Sequence, residues 1–128
     1  MARKILLVDD DEGFLLAARH LLEDAGYDVT PAVGAAEARA RLETELPDVI
    51  LLDVLMPGED GFTLADNLAK DERYSDVPVV LVTAVAESAG QVMYAMEHDK
   101  GLTATDILKK SEAHEQLVPT VAAVLGGA

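Results

Sequence analysis

The chain has 128 residues and a formal net charge of −14, from 24 acidic and 10 basic side chains, and half of its residues are apolar. This length suits a single domain with its own core, and the apolar content excludes a disordered chain. The acidity argues against partners such as nucleic acid or anionic membranes, because binding to either needs clustered positive charge. Cysteine is absent, which excludes disulfides, thiol chemistry and cysteine-ligated metals.

The N-terminal segment predicts neither an export signal nor a membrane anchor. Positive charge at Arg3 and Lys4 is followed by an apolar run over Ile5–Val8, which ends at three consecutive aspartates. That run is too short for a signal peptide, and no stretch of the chain approaches the roughly 20 apolar residues that span a bilayer. The sequence therefore predicts a cytoplasmic protein.

Short apolar runs alternate with longer amphipathic stretches in the first half of the chain. The run over Ile5–Val8 predicts a strand buried on both faces, and residues 11–25 follow with apolar side chains on one helical face. We then predict a strand over Tyr27–Thr30, a helix over Ala35–Leu46 and a third, buried strand over Val49–Leu52.

The second half repeats this alternation after a turn-rich segment over residues 56–61. The remaining predicted elements are a helix over Phe62–Lys70, a strand over Val77–Val82, a helix over Glu87–Glu97, a strand over Thr105–Lys109 and a last helix between Glu112 and Leu125. Five strand–helix units predict an α/β fold, in which a doubly wound five-stranded parallel sheet is flanked by five helices. We expect one domain over residues 1–128.

Charged and hydroxyl side chains stand where four of the predicted strands end. They are Asp9, Asp10 and Asp11 after the first strand, Asp53 after the third, Thr83 after the fourth, and Lys109 and Lys110 after the fifth. Sites in such sheets form at the carboxyl ends of the strands. Clustered carboxylates without histidine or cysteine favour Mg²⁺, because there are too few protein ligands for a calcium cage. An aspartate beside such a cation can act as a nucleophile toward phosphorus.

These strand ends resemble the receiver domain of two-component response regulators. The matching motifs are Leu6–Asp10, Leu51–Gly58, Asp60–Gly61, Val82–Ala84 and Leu108–Lys110. They occur in the family's order along essentially the whole chain. The resemblance implies a flavodoxin-like sheet with strand order 2-1-3-4-5. It also implies a phosphorylation-dependent switch of a two-component or phosphorelay system, here expected as a stand-alone receiver without an effector domain.

For the phosphoryl group, the resemblance implies that Asp53 is the acceptor and that Thr83 and Lys110 contact the transferred group. We assign the active-site lysine to Lys110 because residues 106–110 fit the family pattern, and Lys109 stays the alternative. The implied partners are a sensor histidine kinase or a histidine phosphotransfer protein, together with an output protein. The protein would be a monomer or a weak phosphorylation-dependent dimer, and not a turnover enzyme.

For the metal, the resemblance implies Mg²⁺ held by Asp9, Asp10, Asp53 and the backbone carbonyl of Leu55. Asp11 is expected only to cap the first helix. Leu55 and the residue at position 85, a valine, are apolar positions beside the site and cannot orient a hydrolytic water. We therefore expect slow loss of the phosphoryl group.

Four features depart from the family pattern. Ser111 replaces the proline that usually follows the lysine, and a cis bond there would cost about 2.5–4 kcal/mol, so a trans bond or a strained loop is expected. Ile107 stands where an aromatic ring is common, residues 97–103 lengthen the connection before the fifth strand, and Pro119 implies that the last helix starts late or bends. We expect output through backbone and loop shifts rather than movement of a ring.

Two other functions are weighed against the switch. A phosphatase of the haloacid dehalogenase type needs a second aspartate two residues after the first, where this chain has Leu55. A degenerate receiver that binds partners without phosphorylation is disfavoured by the intact Asp10, Asp53, Thr83 and Lys110. Three histidines lack metal-ligand spacing and are expected to be structural or exposed: His20, His98 and His114.

Overall fold

The computed structural model describes residues 2–84 and 105–126. The strands are β1 (Lys4–Val8), β2 (Asp28–Ala32), β3 (Val49–Asp53), β4 (Val79–Thr83) and β5 (Asp106–Lys109). The helices are α1 (Glu12–Asp24), α2 (Ala35–Thr44), α3 (Gly61–Lys70) and α4 (Ala113–Val124), and a 3₁₀ turn over Lys110–Glu112 links β5 to α4. None of these helices is long and apolar enough to cross a membrane.

The five strands form one parallel sheet in the order β2-β1-β3-β4-β5. This confirms the predicted fold class and strand order. The helix predicted over Glu87–Glu97 lies outside the described residues. Strand order reverses between β1 and β3. The chain passes from β1 to β2 on one side of β1, and then returns to β3 on the other side. The residues that follow β1 and end β3 therefore share the edge at which sites form in such sheets.

Both faces of the sheet are covered by apolar packing, which explains why the strands read as unbroken apolar runs. On β3, Ile50 and Leu52 belong to the cluster shared with α2 and α3, whereas Val49 and Leu51 belong to the cluster shared with α1 and α4. All four side chains are completely buried. This packing makes β3 a rigid support for the residue at its carboxyl end, Asp53.

A proline explains where β4 begins, and another lies within β2, which runs two residues beyond its predicted end. β4 begins at Val79 rather than earlier, because Pro78 has no N–H to donate to the ladder. Pro31 is tolerated inside β2 because this strand lies at the edge of the sheet. Pro119 led to the expectation that the last helix starts late or bends. The first alternative is wrong, because α4 begins at Ala113 and contains Pro119 within it, and the second stays a prediction.

Candidate functional site

Three carboxylates meet at the edge where strand order reverses. Asp9 follows β1, Asp53 ends β3, and a carboxylate oxygen from each of Asp9, Asp10 and Asp53 lies within 4.8 Å of the others. Asp9 is 1% exposed and Asp53 is 3% exposed, whereas Asp10 is exposed. The structure thus forms an acidic cluster, defined by these three residues, with two members buried and one at its mouth.

Among the described residues, one lysine reaches this acidic cluster, from the 3₁₀ turn that follows β5. The Nζ atom of Lys110 lies 2.7 Å from Oδ2 of Asp9 and 3.9 Å from Oδ2 of Asp53. The neighbouring Lys109 is half exposed and pairs instead with Glu112 at 3.8 Å. The structure therefore places Lys110, and not Lys109, against the acidic cluster.

The environment of Asp53 favours its protonated form when no cation is bound. The pKa of Asp53 is raised from 3.8 to about 7, mainly by burial and then by the charge of Asp9, while the Lys110 ammonium acts in the opposite direction. A hydrogen bond with Asp10 and the charge of that residue also raise this pKa. Near neutral pH the Asp53 carboxyl is therefore divided between its neutral and ionised forms.

The donor set of the acidic cluster fits a divalent cation. Oδ1 of Asp9 accepts a hydrogen bond from the Asp11 amide at 2.9 Å. Its Oδ2 is buried and accepts no hydrogen bond from the residues that the structure describes, so that its polar contact with them is the ion pair with Lys110. One ammonium leaves three carboxylates with excess negative charge, which is costly away from water. Hard carboxylate oxygens and an exposed side of the cluster suit Mg²⁺, which keeps several waters.

Two further predicted residues lie at the same edge. Thr83 ends β4, next to β3, and is completely buried. Leu55 lies two residues beyond Asp53 in the loop before α3, and its side chain is 52% exposed. Position 85, the other apolar position expected to limit hydrolysis, lies outside the described residues. The structure thus brings a hydroxyl and an exposed apolar side chain to the edge that carries the acidic cluster.

Two residues important to this geometry were missed in the sequence. Phe14 was predicted only as part of the apolar face of α1, yet its ring centroid lies 4.7 Å from Nζ of Lys110. Gly61 was recognised only as part of a motif. A Cβ atom at Gly61 would lie 2.2 Å from the carbonyl oxygen of Asp53, so this helix start packs directly on the end of β3. Both contacts join distant segments, and no local pattern reveals them.

Hydrogen bonds of Glu59 and Asp60 fix the end of the loop between β3 and α3 that lies next to α3. Glu59 accepts hydrogen bonds from the guanidinium of Arg39 on α2 and from the amide of Asn67 on α3, the latter at 3.1 Å. The neighbouring Asp60 caps α3 by accepting from the Thr63 amide at 2.8 Å. The loop that carries Leu55 is therefore tied to both helices that cover this face of the sheet.

The remaining predictions around the site concern the Asp11 cap, the peptide bond before Ser111 and the three histidines. Asp11 caps α1, accepting hydrogen bonds from two amides of its first turn, as predicted. No described peptide bond is cis and no described residue other than glycine has a positive φ, so the bond before Ser111 is trans. His20 and His114 are exposed, as expected. His98 and the predicted insertion over 97–103 fall in the part of the chain that is not described.

A doubly wound sheet with an acidic cluster and a lysine at its reversal point places the protein among the α/β domains whose ligands bind at that edge. Within this class, the chain belongs to the response regulator receiver domain family, which it matches over residues 5–122. Members of this family are phosphorylation-dependent switches of two-component signalling rather than conventional enzymes. This membership confirms the resemblance inferred from the strand-end motifs.

The individual relatives include single receivers and longer proteins. Protein PilH of Pseudomonas aeruginosa is 36% identical over 99% of this chain and 100% of its own length. The DNA-binding dual master transcriptional regulator RpaA of Synechocystis is 37% identical, and this chain spans 48% of its length. The solved structure of the chemotaxis response regulator CheY4 of Vibrio cholerae has a TM-score of 0.84 and 30% identity, over 97% of this chain and 99% of that chain.

Proposed function

We propose that this protein is a signalling switch that accepts a phosphoryl group on Asp53 from a phosphohistidine. The donor would be a sensor histidine kinase or a histidine phosphotransfer protein. The position of Asp53 carries the proposal, because it is a buried carboxylate at the reversal point of a receiver-family sheet, 3.9 Å from the Lys110 ammonium. Burial, neighbouring carboxylates and a facing lysine together are typical of carboxylates at functional sites.

In the proposed reaction, an ionised oxygen of Asp53 forms a bond to phosphorus. The phosphorus–nitrogen bond of the phosphohistidine breaks, and its electron pair stays on the histidine nitrogen. Lys110 offsets charge on the phosphoryl oxygens, and the hydroxyl of Thr83 donates a hydrogen bond to one of them. This division of labour suits phosphoryl transfer, which depends mainly on positioning and charge neutralisation.

We further propose that Asp9, Asp10, Asp53 and the backbone carbonyl of Leu55 hold Mg²⁺. The ion would neutralise charge on the phosphoryl oxygens when it is bound. Within the chain itself, the exposed Asp10 lies at the mouth of the acidic cluster, while the buried Asp9 is oriented by the Asp11 amide. The cluster therefore offers both an accessible ligand and an ordered one.

Output is proposed to pass through protein–protein contact or onward relay of the phosphoryl group. The side chain of Ile107 is half-buried and packs against the apolar cluster shared with α2 and α3. A β-branched aliphatic side chain has few rotamers and no ring that could swing between surface and interior. We therefore propose that phosphorylation acts on the surface through shifts of backbone and loops.

The proposed function is tested by phosphorylation with acetyl phosphate and Mg²⁺, followed by intact mass. We expect the wild-type protein to gain one phosphoryl group and Asp53→Asn to gain none, because the amide is not a nucleophile. Asp28→Asn, which changes an exposed aspartate on β2, serves as the matched control and should be modified like the wild type.

An unmodified wild-type protein would instead support the degenerate receiver, which binds partners without phosphorylation. The phosphatase alternative has no structural support, because position 55, where its second acid would stand, carries an exposed leucine. Sustained release of inorganic phosphate over many turnovers would be required to revive it.

The apolar side chain at position 55 predicts a long-lived phosphorylated state. Leu55→Asn is expected to hydrolyse the aspartyl phosphate about 10-fold faster, because an amide there can orient the attacking water, a modest contribution for a polar group at a reacting centre. Decay of the phosphorylated form is followed by intact mass after removal of acetyl phosphate. Leu55→Ala controls for the loss of bulk, and equal decay rates for Leu55→Asn and the wild type would refute this explanation.

A further inference from the structure

The ammonium of Lys110 touches an aromatic ring as well as carboxylates. Its Nζ atom lies 4.7 Å from the centroid of the Phe14 ring, in addition to its contacts with Asp9 and Asp53. The Lys110 side chain is only 16% exposed, and attraction between a cation and an aromatic face is strongest where water is largely removed. The ring therefore acts on the ammonium from the α1 side of the site.

We propose that Phe14 is a positioning residue whose ring holds the Lys110 ammonium against Asp9 and Asp53. The inference rests on the proposed function, since it concerns the lysine that would contact the phosphoryl group. No direct contact of the Phe14 ring with the acidic cluster or the transferred group is proposed. The ring acts through Lys110 alone.

A series of contacts runs from Asp9 through Asp11, Phe14 and Lys110 and back to Asp9, and it positions the Phe14 ring. The Asp11 amide donates to Oδ1 of Asp9 at 2.9 Å, and the Asp11 side chain accepts from the Phe14 amide at 3.2 Å. The Phe14 ring then meets Lys110, whose ammonium returns to Oδ2 of Asp9 at 2.7 Å. Asp9 and Phe14 therefore lie in one short segment of the chain, and the Lys110 ammonium is positioned against both of them.

The other restraints on Lys110 come from a short turn or change during the proposed reaction. Lys110 begins a 3₁₀ turn of three residues that has no side-chain cap, and the exposed Ser111 follows it. The oxygens of Asp9 and Asp53 are shared with any bound cation, and one oxygen of Asp53 becomes esterified. The Phe14 ring has no titratable group and is half-buried against the apolar cluster of α1 and α4. Its attraction for the ammonium persists through each of these changes.

The contact is tested first in the unphosphorylated protein, by the NMR shifts of the Lys110 Cε methylene group. We expect an upfield ring-current shift in the wild type that is lost in Phe14→Leu and kept in Phe14→Tyr, which retains a ring. Lys110→Met assigns the resonance, because it removes the shifted signal, and Lys109→Met is the matched control that leaves it. An unchanged Lys110 shift in Phe14→Leu would overturn the proposal.

The consequence is tested by the rate of phosphorylation from acetyl phosphate at saturating Mg²⁺. We expect Phe14→Leu to react about 10-fold more slowly and Phe14→Tyr to react nearly as fast as the wild type, as an attraction that needs the aromatic face requires. In a Lys110→Met background, Phe14→Leu should cause no further loss. Phe14→Met gives a second non-aromatic variant if Phe14→Leu unfolds, and thermal unfolding verifies the fold of each.

The outcomes separate this inference from the proposed function. Equal rates for the wild type, Phe14→Leu and Phe14→Met would overturn the positioning role while leaving the phosphoacceptor intact. A slower rate that Phe14→Tyr fails to restore would also overturn it, because a loss of packing alone would then explain the effect. A wild-type protein that takes no phosphoryl group would overturn the proposed function, and the Lys110 shift would still decide whether the ring holds the ammonium.

Discussion

Replacing Asp53 with asparagine is expected to stabilise the metal-free protein, and to do so increasingly as the pH rises toward 7. Burial and the charge of Asp9 raise the pKa of Asp53 from 3.8 to about 7 in the folded protein. Below pH 3.8 the Asp53 carboxyl is neutral in both the folded and the unfolded state, so its ionisation does not affect stability. Between pH 3.8 and about 7 the carboxyl ionises in the unfolded chain but not in the folded protein, so the free energy of unfolding falls as the pH rises. Above about pH 7 the loss of stability is complete and stays constant.

The size of the effect follows from the pKa difference. Each pKa unit corresponds to about 1.4 kcal/mol, so we expect Asp53→Asn to be more stable than the wild type by roughly 2–4 kcal/mol at about pH 8. Denaturant unfolding should show about 2 kcal/mol of this advantage developing between about pH 5 and about pH 8. Asp28→Asn is the control, and we expect its effect to stay within about 0.5 kcal/mol. A destabilised Asp53→Asn, or an advantage independent of pH, would contradict the assignment.

Saturating Mg²⁺ should erase most of this advantage at about pH 8. A ligand that binds only the folded state stabilises it by mass action, and the wild type offers the cation one more carboxylate than the variant does. The same titration therefore tests whether the acidic cluster binds the metal. Equal stabilisation of the two proteins by Mg²⁺ would place the cation elsewhere.

Gly61→Ala is expected to destabilise the protein by about 3 kcal/mol, at the upper end of the usual range for overpacking. The added Cβ would lie 2.2 Å from the carbonyl oxygen of Asp53 and 2.9 Å from Cα of Val54. These are backbone atoms, so no side-chain rotation relieves the clash, and either α3 or the end of β3 must move. The Gly61 amide also donates to the Val54 carbonyl at 2.9 Å, and displacement weakens that bond.

Because the clash is with Asp53 itself, Gly61→Ala should also slow phosphorylation from acetyl phosphate. Gly34→Ala is the matched control, since a Cβ atom there meets nothing within 4 Å, and we expect its effect on stability to be at most about 1 kcal/mol. Denaturant unfolding and intact mass measure the two effects. Similar unfolding midpoints for the two variants would show that the start of α3 can move without cost.

Local patterns in the sequence predicted the parts of the fold that depend on periodicity. The unbroken apolar run over Val49–Leu52 indicated a strand buried on both faces, and β3 is completely buried. The order of strands and helices then led to the parallel sheet and its reversal point, which is why Asp9 and Asp53 could be predicted to meet. Asp11 was correctly expected to cap α1, because capping depends only on the first turn of that helix.

The output side of the molecule was less predictable from local patterns. Pro119 suggested that the last helix starts late or bends, because proline is unfavourable inside helices. Packing of Ala113, Leu117 and Val121 into the core carries α4 past it instead. Burial along a whole helix can outweigh the loss of one backbone hydrogen bond, and only the packed structure shows that it does.

By itself, the sequence determined the fold class, the strand order through its family motifs, and the edge at which the acidic cluster lies. The family pattern favoured Lys110 and left Lys109 as the alternative, and the tertiary structure decided between them by placing Lys110 against the cluster. Tertiary structure alone showed why position 61 is glycine. It also placed the Phe14 ring on the Lys110 ammonium. Periodicity reports which face of an element is buried, whereas contacts between distant segments depend on strand register and on packing at distances of a few ångströms. No local pattern in the chain carries that information.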